Sequence, residues 1–496
     1  METNPRGEAG SRCPEASSNL PGGTLPNGLV PESFDPEYVA GAVAPFLQAS
    51  TYVGERPSLP MIDLTLSKEK AVGAHIWGLI YDGWEPDPEE EGVTVFLRGY
   101  DQRGPHNERK RIYVSAVTPD LVKTKYQVKL TQFFDKLLAA GNAGRPLMNQ
   151  FYASFLDMYW DLHVGVHGAA IPAEVRDFST SFNAVFGYAL PTTEVVYENY
   201  MRARAARPAL KEWVDARVQA IIDGELPEAD RTLVYYWLKN GKLGENFRRK
   251  DIVFECFHNL LAFSQWGKMT YQVMGRLEPV HGDPATRAWY ERTMSNGPDD
   301  AAGAPFTPLD RYVMELFRTI MPNPGSGSAA VVRRQVLSAE TGLIQTPHGP
   351  TSMDPRHWTN PEEFDPDRFK TAPTSADNDE AKAKAAGLAR CPFSNESFTV
   401  KDGRNGEIAN SAYGAVYGVI AGTPYPVCDT AGYAPFGFGY RRCAGELLTV
   451  AFIKELLRKA WADRLSFVKL DLQSPERLPV GPGTVIDDDI SFEGAM

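Results

Sequence analysis

The stretch Ala434-Pro-Phe-Gly-Phe-Gly-Tyr-Arg-Arg-Cys-Ala-Gly-Glu446 decides the fold of this 496-residue chain. It places Cys443 directly before a strongly apolar segment, 446–461, which the spacing of its apolar residues predicts to be a helix. Gly437 and Gly439 permit backbone angles that are closed to other residues, so the loop can fold tightly beneath a flat ligand. Free amide groups and the positive end of a helix dipole favour a thiolate at this position. Cys443 is therefore a candidate metal ligand, and the alternative is an ordinary buried cysteine in a Gly-rich turn before a helix.

Five positions of this stretch match the pattern Phe-x-x-Gly-x-Arg-x-Cys-x-Gly, and the chain thereby resembles the cytochrome P450 family. The matching residues are Phe436, Gly439, Arg441, Cys443 and Gly445. The resemblance implies a heme b whose iron is bound by the Cys443 thiolate, with Phe436, Arg441 and Gly445 as heme-binding residues. Arg441 can reach an anionic group beside the bound plane, and Gly445 lets the backbone approach closely.

Two further segments fit the same resemblance. The segment Met314-Glu-Leu-Phe-Arg318 matches the family's Glu-x-x-Arg helix, in which residues three apart share one face. The segment 353–369 matches the motif that follows it in the family, with residues at the expected offsets: Pro361, Phe364, Pro366, Arg368 and Phe369. The resemblance implies that Arg368 joins Glu315 and Arg318 in a buried triad, which holds the proximal side of the fold and takes no part in the chemistry.

The segment Gly104-Pro-His-Asn-Glu-Arg-Lys-Arg111 resembles the family's helix that supplies basic side chains to the heme propionates. His106 and Lys110 are four residues apart, so on a helix they share one face and can clamp one carboxylate. Arg333 or Arg334 is a further candidate for a propionate. The alternative interpretation of 104–111 is a solvated basic turn.

The helix predicted to cross the distal face of the heme, 251–269, departs from the family pattern. Oxygen-activating members usually carry an acid followed by Thr, which relay protons to bound dioxygen. No such pair occurs in this segment. Ser264 and Gln265 stand roughly where it would fall, and they are either the catalytic residues or merely polar residues that line a helix groove.

Two short pieces of the same segment resemble another group of heme-thiolate enzymes. His258-Asn-Leu-Leu and Phe263-Ser-Gln-Trp-Gly are similar to the central helix of plant allene oxide synthases and hydroperoxide lyases. Those enzymes rearrange fatty-acid hydroperoxides without dioxygen or a reductase. Chemistry that starts from a peroxide is therefore an alternative to dioxygen activation.

The pattern of apolar and polar residues along the chain predicts a mostly α protein with a minor β region, and the resemblance implies a cytochrome P450-like fold. Residues 1–35 are rich in Pro, Gly and Ser and are predicted to be a disordered leader, while 36–496 form a single catalytic domain. β-branched runs such as 92–98 predict a small sheet, and apolar spacing predicts helices through 120–320. The polar segment at about 371–432 is predicted to be a surface insertion.

Composition excludes several classes of protein. The formal net charge of -12 makes nucleic acid an unlikely partner. Five scattered cysteines do not form a disulfide framework, and Cys391 and Cys428 are interpreted as two free thiols, with a metal or disulfide site as the alternative. No run of 18 apolar residues and no export signal is visible, so a cytoplasmic protein without a transmembrane anchor is expected.

These observations favour a monooxygenase that hydroxylates or epoxidises a small hydrophobic substrate, such as a lipid, terpenoid or secondary metabolite. Its two electrons would come from a separate electron-donor protein, because the chain shows no flavin or ferredoxin module. One alternative is a fatty-acid hydroperoxide isomerase, lyase or peroxygenase that needs neither dioxygen nor a reductase. The other is a heme-binding protein without turnover.

Overall fold

The computed structural model describes residues 68–69, 112–113, 115–187, 193–243, 248–302, 306–320, 325–332, 335–336, 344–347, 352–353, 355, 358–370, 400–402, 406–408, 419–420, 423–424, 433, 435–436, 443–471 and 489–494. Within them the chain is mostly helical. In chain order the α-helices are α1 (Pro119–Leu121), α2 (Gln127–Leu137), α3 (Leu147–Val164), α4 (Ala173–Gly187), α5 (Thr193–Ile222), α6 (Leu233–Asn240), α7 (Arg249–Leu277), α8 (Pro284–Ser295), α9 (Pro308–Ile320) and α10 (Glu446–Ala462). A π-helical segment, Val122–Tyr126, connects α1 to α2.

The strands described are short and all of their pairings are antiparallel. In chain order they are β1 (Lys68–Glu69), β2 (Gly325–Val332), β3 (Gln335–Val336), β4 (Ile344–Pro347), β5 (Val400–Asp402), β6 (Gly406–Ile408), β7 (Val419–Ile420), β8 (Thr423–Pro424), β9 (Ser466–Lys469) and β10 (Ile490–Glu493). Strand β2 pairs with β1, β3 and β4 in a four-stranded sheet. The other strands form two-stranded sheets: β5 with β6, β7 with β8, and β9 with β10.

Helix α7 is the centre of the molecule. Its 29 residues span about 43 Å at 1.5 Å per residue, and it contacts α3, α4, α5, α8, α9 and α10 as well as β9 and β10. Nearly every described residue from Asp251 to Leu260 is buried, which explains why the segment is apolar on several faces rather than on one stripe. Asp251 anchors the helix start, because its carboxylate accepts bonds from the Arg248 main-chain N–H and guanidinium group at 2.8 to 3.0 Å.

Helix α10 follows the cysteine loop and is packed on its apolar side. Phe452 lies at the middle of α10 and meets Phe134 of α2, with ring centroids 4.7 Å apart. On α8, the Tyr290 hydroxyl donates to the Leu457 carbonyl at 2.8 Å. Helices α2 and α8 therefore fix the position of α10, and through it the position of the loop that precedes it.

The structure confirms the mostly α fold with a minor β region. The helices predicted through 120–320 and at 446–461 are present as α1 to α9 and as α10. The run 92–98 lies outside the described residues. The segment 371–432 contains the described strands β5 to β8, and its place on the surface remains a prediction.

No helix in the part of the chain that the structure describes is long and apolar enough to cross a membrane.

Candidate functional site

The cysteine loop is closed by a backbone hydrogen bond at its ends. The Cys443 N–H donates to the Phe436 carbonyl at 2.7 Å. The Phe436 ring packs against Phe317 of α9, with centroids 4.8 Å apart. These contacts hold a partly exposed Cys443 three residues before Glu446, the first residue of α10. Helix-start amide groups and the helix dipole stabilise a thiolate at such a position.

Gly445 keeps the space beside the sulfur clear. It has φ -87° and ψ 5°, which is a backbone conformation open to any residue. A Cβ built on Gly445 would lie 3.8 Å from Cys443 Sγ and 4.0 Å from Thr449 Oγ1. A side chain here would therefore occupy the room next to the sulfur, although no backbone strain demands glycine. A partly exposed thiol with cleared space beside it fits a heme whose iron takes Cys443 as its ligand.

The predicted triad is present and buried beside this loop. Arg318 donates through Nε and Nη2 to the two Glu315 carboxylate oxygens, each at 2.7 Å. Arg368 Nε adds a bond to Glu315 Oε1 at 3.1 Å, and the Asp365 main-chain N–H adds another at 2.9 Å. Burial raises the pKa of the Glu315 carboxyl, and the Arg318 and Arg368 guanidinium groups counteract that rise. The prediction of the triad is thus confirmed.

Two predicted catalytic residues, Ser264 and Gln265, lie side by side on α7 but point in different directions. Neighbouring residues of a helix are 100° apart around its axis. Ser264 is fully buried. It lies on the same face of α7 as Phe257, seven residues earlier, and the Phe257 ring packs against Phe182 of α4 with centroids 5.2 Å apart. Gln265 is partly exposed. Ser264 is therefore enclosed in the helix packing, whereas solvent can reach Gln265, and a catalytic role for either residue remains a prediction.

A buried polar side chain, that of Asn259, lies on α7 five residues before Ser264. His163 of α3 directs Nδ1 to the Tyr159 carbonyl at 2.9 Å, so Nδ1 carries the proton and Nε2 is the acceptor. Asn259 Nδ2 donates to that Nε2 at 3.2 Å. Burial lowers the pKa of His163 to about 3, so the ring is neutral. This arrangement fixes the amide orientation and leaves Asn259 Oδ1 buried without a hydrogen-bond partner.

Two ionisable groups lie near Asn259 and the sulfur. Glu255, four residues before Asn259 on the same face of α7, is buried and lies 3.4 Å from His258 Nδ1. Burial raises the pKa of Tyr113, and negative charge on Glu255 and on Cys443 adds to that rise. Tyr113 is therefore within electrostatic reach of both groups. In the sequence, three closely spaced polar residues in an otherwise apolar segment indicate this cluster: Glu255, His258 and Asn259.

The remaining predicted heme contacts cannot be placed. His106, Lys110, Arg333, Arg334 and Arg441 lie outside the described residues and remain predictions. The structure thus brings together Cys443, Phe436 and Gly445 in one loop, with α7 on the neighbouring side.

Comparison with known proteins was made on sequence and on structure. No family model matches the sequence, and no curated protein matches it. Solved structures do match. A variant of cytochrome P450SP alpha (CYP152B1) superimposes with a TM-score of 0.50 at 14% identity, covering 82% of this chain and 84% of that one. Retinoic acid-bound cyanobacterial CYP120A1 gives 0.49 at 14% identity over 79% of each chain, and cytochrome P450EX alpha (CYP152N1) with myristic acid gives the same values.

At such low identity the likeness to the first of these structures bears on the fold alone. The chain has the cytochrome P450 fold, and this fold implies a heme held by a cysteine thiolate.

Proposed function

We propose that the protein is a heme-thiolate monooxygenase that oxidises a small hydrophobic substrate with electrons from a separate donor protein. The observation that carries the proposal is the placement of Cys443, partly exposed at the start of α10 with cleared space beside its sulfur. The heme, when bound, would supply the activation of dioxygen that no amino-acid side chain can provide. The chain's own residues hold the iron, orient the substrate and deliver protons.

The substrate we expect is a small hydrophobic molecule, such as a lipid, a terpenoid or a related secondary metabolite. The resemblance to the cytochrome P450 family supports this expectation, because pockets for such molecules are mostly apolar with few polar groups.

Glu255 is the candidate proton donor in place of the acid that usually precedes Thr. Of the acids in α7, Asp251 is held by Arg248 at the helix start, whereas Glu255 is 4% exposed and lies on the face of Asn259. A buried carboxyl is a common general acid in such reactions. Positioned general acids typically contribute on the order of 100-fold or more to a rate.

A second candidate function is the conversion of a preformed hydroperoxide without dioxygen or reductant. The sequence of α7 favours it, because the helix has no acid next to a Thr that could relay protons to bound dioxygen. Conversion of a hydroperoxide needs neither an electron donor nor an acidic residue next to a Thr on α7.

The experiment that separates the two uses heme-loaded protein in two reactions. One contains a fatty-acid hydroperoxide and no reductant; the other contains dioxygen, surrogate redox partners and a substrate chosen because it shifts the heme spin state. The monooxygenase proposal expects product only in the second reaction. Rapid turnover of the hydroperoxide together with an inactive second reaction would replace it with the peroxide function, and no spin-state shift with any substrate would indicate a protein without turnover.

The Glu255→Gln variant sharpens this test. It should lower dioxygen-driven turnover by on the order of 100-fold, yet leave turnover driven by hydrogen peroxide nearly unchanged, because the peroxide brings its own protons. Asp251→Asn is the matched control, since it removes the other buried acid of α7, which Arg248 holds at the helix start about two turns before Asn259, and should preserve the ratio of the two rates. Equal losses in both reactions of Glu255→Gln would contradict a role in proton delivery.

A further inference from the structure

A chain of two hydrogen bonds links the central helix to the first turn of α10. Trp266 Nε1 on α7 donates to Thr449 Oγ1 at 3.0 Å. The Thr449 hydroxyl donates in turn to the Gly445 carbonyl at 2.9 Å. A hydroxyl has one proton to give and lone pairs to accept with, so both bonds can form at once and in this direction. Bonds arranged head to tail in this way strengthen one another.

The donor end of this chain is held rigidly. Trp266 is 4% exposed, and its ring stacks on Phe452 of α10 with centroids 4.2 Å apart and planes 22° apart. Phe263 packs on the ring at 4.4 Å. Because both rings fix the indole, its N–H cannot turn to another acceptor without disturbing the aromatic packing of α7 on α10.

The acceptor end lies beside the sulfur. Gly445 is two residues after Cys443, and a Cβ built on it would sit 3.8 Å from Sγ. The Gly445 carbonyl belongs to the same peptide unit as the N–H of Glu446, the first residue of α10. The N–H groups of a first helical turn point back toward the helix start, where Cys443 lies. A hydrogen bond that polarises the carbonyl of a peptide unit makes its N–H a stronger donor.

We propose that Trp266 and Thr449 are positioning residues that set how much electron density the Cys443 thiolate gives to its iron. They act through the Gly445–Glu446 peptide and touch neither substrate nor heme. Hydrogen bonding around a ligating sulfur is an established way for a protein to tune a metal centre. The proposal rests on heme ligation by Cys443 and is independent of whether dioxygen or peroxide is used.

The test compares Thr449→Val, Thr449→Ser and Trp266→Phe in the heme-loaded protein. The readouts are the ferric/ferrous midpoint potential and the position of the Soret band of the reduced carbon-monoxide complex. Thr449→Val keeps the shape and removes the hydroxyl, so the sulfur should carry more charge and the potential should shift to more negative values. Trp266→Phe keeps an aromatic ring and should give a smaller shift in the same direction. Thr449→Ser should restore the parent values.

Tyr290→Phe is the matched control, because it removes a buried hydrogen bond to the same helix, three turns further from the sulfur. The Tyr290 hydroxyl donates to the Leu457 carbonyl at 2.8 Å. This variant should lose stability as a buried bond is lost, yet keep the parent potential and band.

A double variant, Thr449→Val with Trp266→Phe, should shift no further than Thr449→Val alone, because both changes break one chain. An unshifted Thr449→Val, or an equal shift in Tyr290→Phe, would overturn the proposal. If Thr449→Val does not fold, an unshifted Trp266→Phe overturns it by itself. A parent protein without a thiolate-type band overturns the ligation claim and this proposal together, whereas failure of the monooxygenase test leaves the predicted shifts in place.

Discussion

Cys443 and Cys256 carry the same thiol in two different surroundings. Cys256 is fully buried on α7, and burial raises its pKa, which keeps the group a neutral thiol that packs as a small apolar side chain. Cys443 is partly exposed at the start of α10, where amide groups and the helix dipole stabilise an anion. Of the two cysteines in the described residues, only Cys443 therefore has the surroundings of a metal ligand.

The neutral state of His163 makes stability depend on pH. Burial lowers its pKa from 6.5 to about 3, so the folded state binds fewer protons than the unfolded state between these values. This contribution to stability is complete above pH 6.5 and is lost as the pH falls toward 3. The expected loss from this one group is about 1.4 kcal/mol per pH unit between pH 6 and pH 4.

Urea denaturation across that range measures the effect. The side chain of Gln does not titrate in this range. The free energy of unfolding of His163→Gln should therefore fall less steeply with decreasing pH than that of the parent protein, by about 1.4 kcal/mol per pH unit. Equal slopes for the parent and His163→Gln would contradict a buried neutral ring.

The pairing of His163 with Asn259 shows what sequence reasoning could not reach at this scale. The two residues are 96 positions apart, on α3 and α7, and the similarity noted for His258-Asn-Leu-Leu says nothing about His163. An Asn between apolar residues signals a buried polar group, but it does not say which residue satisfies it. Cys443, in contrast, was identified because all its informative neighbours lie within ten residues of it in the sequence.

At the scale of elements, the triad joins α9 to the 3₁₀ turn Pro366–Lys370. Glu315 is the single carboxylate between two guanidinium groups, and Arg318 is fully buried. Arg318 also donates to the Ser352 carbonyl at 2.9 Å and to the Glu363 carbonyl at 3.1 Å. The triad therefore fixes three chain segments around one anion.

Glu315→Gln should destabilise the protein by about 3–5 kcal/mol, because it leaves the Arg318 cation buried without its anion. The measurement is the free energy of unfolding in urea. Glu362→Gln, on an exposed side chain of the segment that packs on α9, should change stability by no more than about 0.5 kcal/mol. A Glu315→Gln variant as stable as this control would show that the triad does not support the fold.

Elements differ in how well the sequence predicts them. Helices α7 and α10 were predictable because each has a long apolar pattern. The triad was predictable because its residues stand at fixed offsets within two short segments of sequence. Strand β2 begins Gly-Ser-Gly-Ser, which is typical of a turn, and its pairing with β4 decides its structure instead. The contact of Trp266 with Thr449 spans 183 residues and follows only from how α7 crosses α10.

At the scale of the whole molecule, α7 connects the two halves of the candidate site. Its Asn259 face holds the buried polar group, and Trp266, two turns later, bonds to the helix that carries the cysteine loop. One rigid helix thus connects the buried polar group to the helix that follows the cysteine loop. The ligand was predictable from one local motif, whereas the reaction depends on side chains that only the fold brings together.

The central claim, that Cys443 holds a heme iron, is tested most directly by the reduced carbon-monoxide spectrum of Cys443→Ala. The heme-loaded parent protein should show the Soret band typical of a thiolate ligand, and Cys256→Ala should keep it, since that thiol is buried in α7. Cys443→Ala should lose this band while it remains folded, as judged by an unfolding midpoint near that of the parent. Survival of the thiolate-type band in Cys443→Ala would contradict the account.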